Sequence, residues 1–202
     1  MILHDQIHNI ARHLTVPSVV PDDRAGTRSH AYVPNTYAGV PVDVDLSEKS
    51  AEIAKLVGTS ARAAGLRVAV AESLTSGAIA GQLGAAPEAS SWFAGGVVAY
   101  AADVKFKLLN VDPGPVVTGR CAVQMARGVA ELLGADVAVA VTGVGGPDPD
   151  EDHPAGTVYT AVYHLAEAQA SHDIFDGGSA QVVEQATRAA LQMLREAVAP
   201  PS

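Results

Sequence analysis

The sequence predicts an α/β fold: a three-layer α/β/α sandwich built on a mixed, mostly parallel sheet. Three observations carry that expectation. Helical periodicities alternate with short apolar runs from Asp45 to Val198. One run, Asp136–Val144 (DVAVAVTGV), is apolar on both alternating faces, as suits a strand covered on both sides. Two late strand patterns follow one another without a helix between them, which makes part of the sheet antiparallel.

Taken in order, residues 1–43 stand apart as an N-terminal arm. Leu3, Ile7, Ile10 and Leu14 have the spacing of a short amphipathic helix, and Pro17–Val42 shows no periodicity. Residues 44–202 form the domain. Asp45 and Glu48 read as a capping box ahead of a helix whose apolar face is Leu46, Ile53, Leu56 and Val57, ended by Gly65. Arg67–Ala71 reads as a strand, Thr75–Leu83 as a helix capped by hydroxyls, Gly95–Tyr100 as a strand and Asp103–Leu109 as a helix. Thr118–Leu133 is a stronger helix, with Cys121, Met125, Val129 and Leu132 at helical intervals. After Asp136–Val144 come strands at Thr157–Leu165 and Ser171–Phe175, and a last helix over Ser179–Val198.

Composition narrows the function classes. A chain of 202 residues that is 48% apolar can bury a substantial core. A formal net charge of -9 argues against duplex nucleic acid or an anionic membrane as partner. Cys121 is the single cysteine, so neither an intrachain disulfide nor a multi-cysteine metal site is expected. No apolar run approaches the roughly 20 residues of a membrane span, and the N-terminus lacks a signal-peptide layout, so a cytoplasmic setting is expected.

In sheets of this class ligands gather at the carboxyl ends of strands. Three such ends carry unusual chemistry. The first, Glu72-Ser73-Leu74-Thr75-Ser76-Gly77, either caps a helix or aims backbone N–H groups at an oxyanion or phosphate. The second places Ser90 and Ser91 before a strand that ends at Tyr100, with Lys105 in the next helical turn. A serine hydroxyl needs a base, and a partly desolvated lysine can serve as one. In the third, Gly143, Gly145 and Gly146 bring backbone close to a ligand or another segment. The acidic run with His153 that follows has no histidine partner at ligand spacing, so no metal is expected.

Together these segments resemble the family of the CinA C-terminal domain and the stand-alone PncC-type nicotinamide mononucleotide (NMN) deamidases. The family's AESCTGG is matched by Ala71-Glu-Ser-Leu-Thr-Ser-Gly77. Its GSSxWF and GxVxYSNExK are matched by Ala89-Ser-Ser-Trp-Phe93 and Gly96-Val-Val-Ala-Tyr-Ala-Ala-Asp-Val-Lys105. Its TGIAGPxGG and KPVGTVY are matched by Thr142-Gly-Val-Gly-Gly-Pro-Asp148 and Pro154-Ala-Gly-Thr-Val-Tyr159, and Met125-Ala-Arg-Gly128 fits its MAxG helix. The match spans roughly residues 46–195. It implies hydrolysis of the NMN carboxamide to the acid and ammonia by a Ser–Lys mechanism, with no metal or cofactor. It implies Ser90 as nucleophile and Lys105 as base, with Ser73 and Tyr100 as hydrogen-bond partners. Ser73 is the alternative nucleophile, and the two serines could act as a relay. Substrate contacts are expected from Glu72, Thr75, Ser76, Gly77, Thr142, Gly143, Gly145 and Gly146. A homo-oligomer, with a dimer favoured, is expected. The full-length CinA layout has a large preceding domain, whose activity is not expected here.

The departures define the alternative reading. Leu74 replaces the family's cysteine, Ser76 its second glycine, and Ala101-Ala-Asp103 its Ser-Asn-Glu. Where the family has Phe-Ser-Gly-Asp-Arg, with the arginine a candidate for the substrate phosphate, this chain has Phe175-Asp-Gly-Gly-Ser179. Losing that guanidinium removes a charge-assisted contact of about 1.5–3 kcal/mol. Lys107, Arg67 and Arg120 are the candidate substitutes. A nucleotide-binding or assembly module of the same fold, catalytically weak or inactive, is the alternative function.

Overall fold

Alternating Val and Ala residues along the two central strands build the sheet's two faces. In the computed structural model, residues 44–199 are described; the expected helix over 1–14 and the arm as a whole lie outside them. The elements run α1 (Val44–Ala64), β1 (Val68–Glu72), α2 (Ala78–Ala85), β2 (Phe93–Val98), α3 (Ala102–Leu108), α4 (Gly119–Leu133), β3 (Val137–Gly143), β4 (Thr157–His164), β5 (Glu167–Ile174) and α5 (Ser179–Ala197). The sheet order is β2-β1-β3-β4-β5. β1 pairs in parallel with β2 and β3, while β4 is antiparallel to both β3 and β5. Four strands therefore point one way and β4 runs against them, giving the mixed α/β sheet that the sequence pattern implies.

All five residues of β1 are buried, as are the first six of β3. With side chains alternating between faces, Val68, Val70, Val137, Val139 and Val141 meet α1, α2 and α5 through Val57, Ile79, Leu83, Ala186 and Leu191. On the other face Ala69, Ala71, Ala138 and Ala140 meet α4 through Cys121, Ala122, Met125 and Val129. Small side chains on the second face let α4 lie close to the sheet. Trp92, only 1% exposed, packs on the first face, and its indole N–H donates to the Pro87 carbonyl at 3.3 Å.

Several local expectations are corrected. α1 already runs from Val44, so Asp45 is a helical residue and not a cap. α2 begins at Ala78 and not Thr75, and it is capped by Glu72 instead of by hydroxyls. The β4–β5 hairpin turns on Leu165 and Ala166, both with positive φ (53° and 65°). These are the dihedrals of a primed two-residue turn, adopted without the usual Asn or Gly. β5 consequently starts at Glu167, earlier than its sequence pattern implies. Across the hairpin Tyr159 stacks on His172 with ring centroids 4.6 Å apart, and His153 meets the edge of the same tyrosine at 6.0 Å.

One backbone approach fixes α3, and with it Lys105, against α4. A Cβ added at Gly128 would stand 2.0 Å from the Leu109 carbonyl oxygen, just past the end of α3. The neighbour that would have to yield is backbone. Gly128→Ala is therefore expected to cost about 2–3 kcal/mol, net of the helix-propensity gain, and to lower the melting temperature by roughly 4–12 °C. Gly65→Ala is the contrast. That residue ends α1 at φ 68° with nothing within 4 Å of the added carbon, so only the left-handed conformation is penalised, at about 1 kcal/mol. Thermal denaturation followed by circular dichroism measures both, and equal losses would contradict the close approach.

Candidate active site

At the carboxyl end of β1 the alternation of faces continues for two residues, and it separates two carboxyl-terminal roles. Glu72 turns to the face that carries α2. Its carboxylate, fully buried, accepts hydrogen bonds from the N–H groups of Gly77 (3.0 Å), Ile79 (3.2 Å) and Ala80 (2.8 Å). An anion at a helix N-terminus is favoured by the helix dipole as well as by these bonds. Ser73 turns to the other face, beside α3 and α4. Its N–H donates to the Val141 carbonyl at 3.1 Å, which ties the turn to β3.

Lys105 comes to Ser73 from α3. Its side chain is 1% exposed, and Nζ donates to Ser73 Oγ at 2.9 Å and to the Tyr100 carbonyl at 3.1 Å. Burial pushes the Lys105 ammonium down from the ordinary lysine range, while Cys121 and Glu151 act in the opposite sense. Burial also pushes the Cys121 thiol up to about 11. That thiol is uncharged near neutrality, which leaves Glu151 as the group that opposes the effect of burial. A lysine poised this way reaches its neutral, proton-accepting form more readily than an exposed one.

The pair opens into a cavity of about 360 Å³. Ser73, Leu74, Tyr100 and Lys105 form one side, Val116 and Val117 another, and Thr142–Asp150 the third. Thr142 Oγ1 donates to the Val116 carbonyl at 2.8 Å. Among the described residues, the amides of Leu74 and Thr75, directly after Ser73, have no hydrogen-bond acceptor. A serine, a buried amine and the unpaired N–H of Leu74 on the cavity wall are parts that acyl transfer uses.

The structure brings together Ser73, Tyr100, Lys105, Thr142, Gly143, Gly145 and Gly146, all on the cavity wall. Tyr100 contributes its carbonyl to Lys105, and the residue as a whole is 70% exposed. Ser90 is not brought to them. It sits on the single 3-10 turn Ala89–Ser91 that leads into β2, at the amino-terminal end of the parallel strands, and is exposed. The five-residue length of β1 separates the two ends, about 16 Å at roughly 3.3 Å per residue. The pairing of Ser90 with Lys105 is thus replaced by Ser73 with Lys105. Glu72, Thr75, Ser76 and Gly77 also lie off the cavity wall. Glu72 is spent on α2, the Thr75 hydroxyl is buried without a partner, and Ser76 is exposed.

Sequence reasoning did not assign Leu74, the Val116–Val117 pair, or, in the loop after β3, Val144, Pro147, Pro149 and the carboxylates Asp148 and Asp150 to the site. The paired valines carry no chemical signature. Only their place just before the Thr118 cap of α4 marks them, and that cap accepts from the Cys121 N–H at 3.1 Å. Of the candidate cations, Arg67 precedes β1 at the far end, bonded to the Gly134 carbonyl. Lys107 pairs with Asp103 at 2.8 Å and Arg120 with Asp112. Ser179 does stand beside the site, its Oγ 3.9 Å from where a Cβ on Gly146 would lie.

The CinA C-terminal domain family model matches residues 50–198. The chain belongs to that family. A CinA-like protein of Frankia casuarinae is 44% identical over 127 residues, covering 60% of this chain and 28% of the relative. A CinA-like protein of a Synechocystis strain is 43% identical over 132 residues, 62% of this chain and 32% of that protein. This chain thus spans about a third of the length of the curated relatives it matches. The crystal structure of a competence-damaged protein (CinA) superfamily protein from Klebsiella pneumoniae superposes with a TM-score of 0.71 at 32% identity, covering 74% of this chain and 97% of the other. The corresponding superfamily protein from Enterobacter cloacae gives 0.72 at 28% identity, over 86% and 100%. Among the described residues no helix is long and apolar enough to cross a membrane.

The buried amine carries a cost that can be measured. With the Lys105 pKa lowered on folding, the unfolded chain holds more protons than the folded one between that lowered value and 10.5. Stability then rises with pH across that window. Lys105→Met, which keeps the volume without the charge, is expected to be more stable than the wild type at pH 7, with the gap closing as pH approaches 10. Denaturant titrations at a series of pH values test this, and a constant gap would show that the amine is not desolvated.

Proposed function

We propose that this CinA-family chain is a serine amidohydrolase in which Ser73 is the nucleophile and Lys105 its base. The supporting observation is the 2.9 Å contact between Lys105 Nζ and Ser73 Oγ, with Ser73 7% and Lys105 1% exposed. The proposed substrate, carried by the family resemblance, is the carboxamide of nicotinamide mononucleotide or a related small-molecule amide, in a cytoplasmic nucleotide pool. A homodimeric assembly belongs to the same reading.

In this mechanism neutral Lys105 accepts the Ser73 hydroxyl proton as Oγ bonds to the amide carbon. The carbonyl pair moves onto oxygen, where the N–H of Leu74, the cavity-wall residue directly after Ser73, can donate to the resulting oxyanion. The Lys105 ammonium, held by the Tyr100 carbonyl, returns the proton to the amide nitrogen, and the C–N bond breaks to release ammonia. Water then attacks the acyl-serine and Lys105 takes its proton; collapse releases the acid as Lys105 returns the proton to Ser73 Oγ, regenerating the hydroxyl and the neutral amine. No step requires a metal.

A second reading is a binding module of the same fold with little or no turnover. Ser179 beside Gly146 and the carboxylates of Asp148 and Asp150 on the cavity wall favour it, because none of them attracts a phosphate.

Ammonia release from nicotinamide mononucleotide and a panel of primary amides separates the two. Under the first reading Ser73→Ala and Lys105→Ala lower kcat by at least about 10³-fold, while Ser90→Ala stays within about threefold of wild type. Activity rises with pH as Lys105 loses its proton, along a limb whose midpoint lies below 10.5. Folded protein that binds the nucleotide by calorimetry but hydrolyses no amide establishes the second reading. Loss of activity in Ser90→Ala with retention in Ser73→Ala would overturn the assignment of the nucleophile.

A further inference from the structure

Glu151 lies in the loop between β3 and β4, and no step of the mechanism above uses it. Its carboxylate nonetheless grips one peptide segment of the cavity wall. The Val116 N–H donates to its two oxygens at 3.0 and 2.8 Å, and the Val117 N–H donates at 2.7 Å. The same segment is held from the opposite side, because Thr142 Oγ1 donates to the Val116 carbonyl at 2.8 Å. Val116 and Val117 both face the cavity that contains Ser73. Two loops distant in sequence are thereby locked together at the site, by bonds to a charged acceptor that are shorter and stronger than neutral ones.

The backbone at Glu151 is consistent with a placement imposed by function. Glu151 and Asp152 have φ of 46° and 63°, consecutive left-handed residues that are not glycine. Such conformations persist where surrounding contacts over-determine them, and they concentrate at functional sites.

The carboxylate also has an electrostatic consequence. The groups that act on Lys105 are the Ser73 hydroxyl and the Tyr100 carbonyl, which accept its hydrogen bonds, and, electrostatically, the Cys121 thiol of α4 and Glu151 of the loop. Asp148, Asp150 and the Tyr100 phenol complete the titratable groups of the cavity wall. With the thiol protonated up to about 11, Glu151 is the anion that opposes the desolvation of the ammonium.

We propose that Glu151 is a positioning residue of this site, fixing the Val116–Val117 peptide as a wall of the cavity into which Ser73 and Lys105 open, and that its carboxylate acts on Lys105 across that wall. The kinetic part of this inference rests on the serine–lysine reading; the electrostatic part does not. Two variants separate charge from reach. Glu151→Gln keeps an acceptor oxygen but removes the charge. Glu151→Asp keeps the charge but is one methylene too short to hold both amides.

The primary measurement is the titration of Lys105 itself in ¹⁵N-lysine-labelled protein, with the signal assigned through Lys105→Arg and the fold checked by circular dichroism. In Glu151→Gln the Lys105 midpoint moves to lower pH, because removing an anion destabilises the ammonium. In Glu151→Asp it stays closer to wild type. With nicotinamide mononucleotide as substrate, the rising limb of the pH–rate profile follows the Lys105 midpoint in Glu151→Gln. Glu151→Asp raises KM about tenfold while kcat at the plateau changes by less than about threefold. An unmoved Lys105 midpoint in folded Glu151→Gln, or a wild-type KM in Glu151→Asp, overturns the proposal. Should wild-type protein hydrolyse no amide, the amidohydrolase reading fails, and the titration still decides whether Glu151 acts on Lys105. If Glu151→Gln does not fold, the comparison rests on Glu151→Asp, whose midpoint must then stay nearer to wild type than its KM does.

Discussion

The constraint on which the site depends is the period of two along β1, carried one residue past the sheet to Ser73. Val68 and Val70 face α1 and α5, Ala69 and Ala71 face α4, and the same alternation sends Glu72 toward α2 and Ser73 toward Lys105. A one-residue slip of the strand would exchange them, burying the serine under α2 and presenting a carboxylate to the amine. Pairing on both sides of β1 prevents that slip, with β2 and β3 each holding it in register. The capping of α2 and the contact of Ser73 with Lys105 are thus two outcomes of one alignment, and neither can be adjusted alone.

The position of the cavity follows from topology. The connection after β1 leads to β2 on one side, while β3 lies on the other, so a crevice opens beyond the carboxyl ends of β1 and β3. Small side chains on the α4 face of the sheet leave α4 close, and the Gly128–Leu109 approach sets the end of α3 against it. Lys105 is desolvated because this packing leaves it little water. A less tightly packed face would have left it solvated.

Much of this was legible in the sequence, for identifiable reasons. β3 stood out because a strand covered on both faces has no polar alternation to confuse it. α4 and α5 stood out because each shows a single apolar side. Lys105, Tyr100 and Thr142 were found as polar groups at strand ends or in the turn that follows one. The choice between Ser73 and Ser90 was not legible, since both adjoin apolar runs. Only the parallel pairing shows that one follows its strand and the other precedes its own. The α2 cap was misjudged because hydroxyls beside a helix start are the commoner solution, whereas here a carboxylate from the preceding strand reaches over them. Glu151 was hidden in an acidic run that reads as a solvated loop tip, and its role depends on a partner segment 34 residues away. The Leu165–Ala166 turn gave no signal because neither residue favours left-handed dihedrals.

That same turn bears on how the molecule moves. β5 is an edge strand with most of its residues exposed, joined to β4 through two residues that resist their own conformation. Local opening of a sheet is cheapest where few apolar contacts and a strained connection coincide. β5 is that place here, and its cross-strand anchor at the end nearest the cavity is the stack of Tyr159 on His172. Tyr159 also meets His153, whose backbone bridges to Asp150 in the cavity wall. Breathing at the sheet's edge and the shape of the cavity therefore share one aromatic contact.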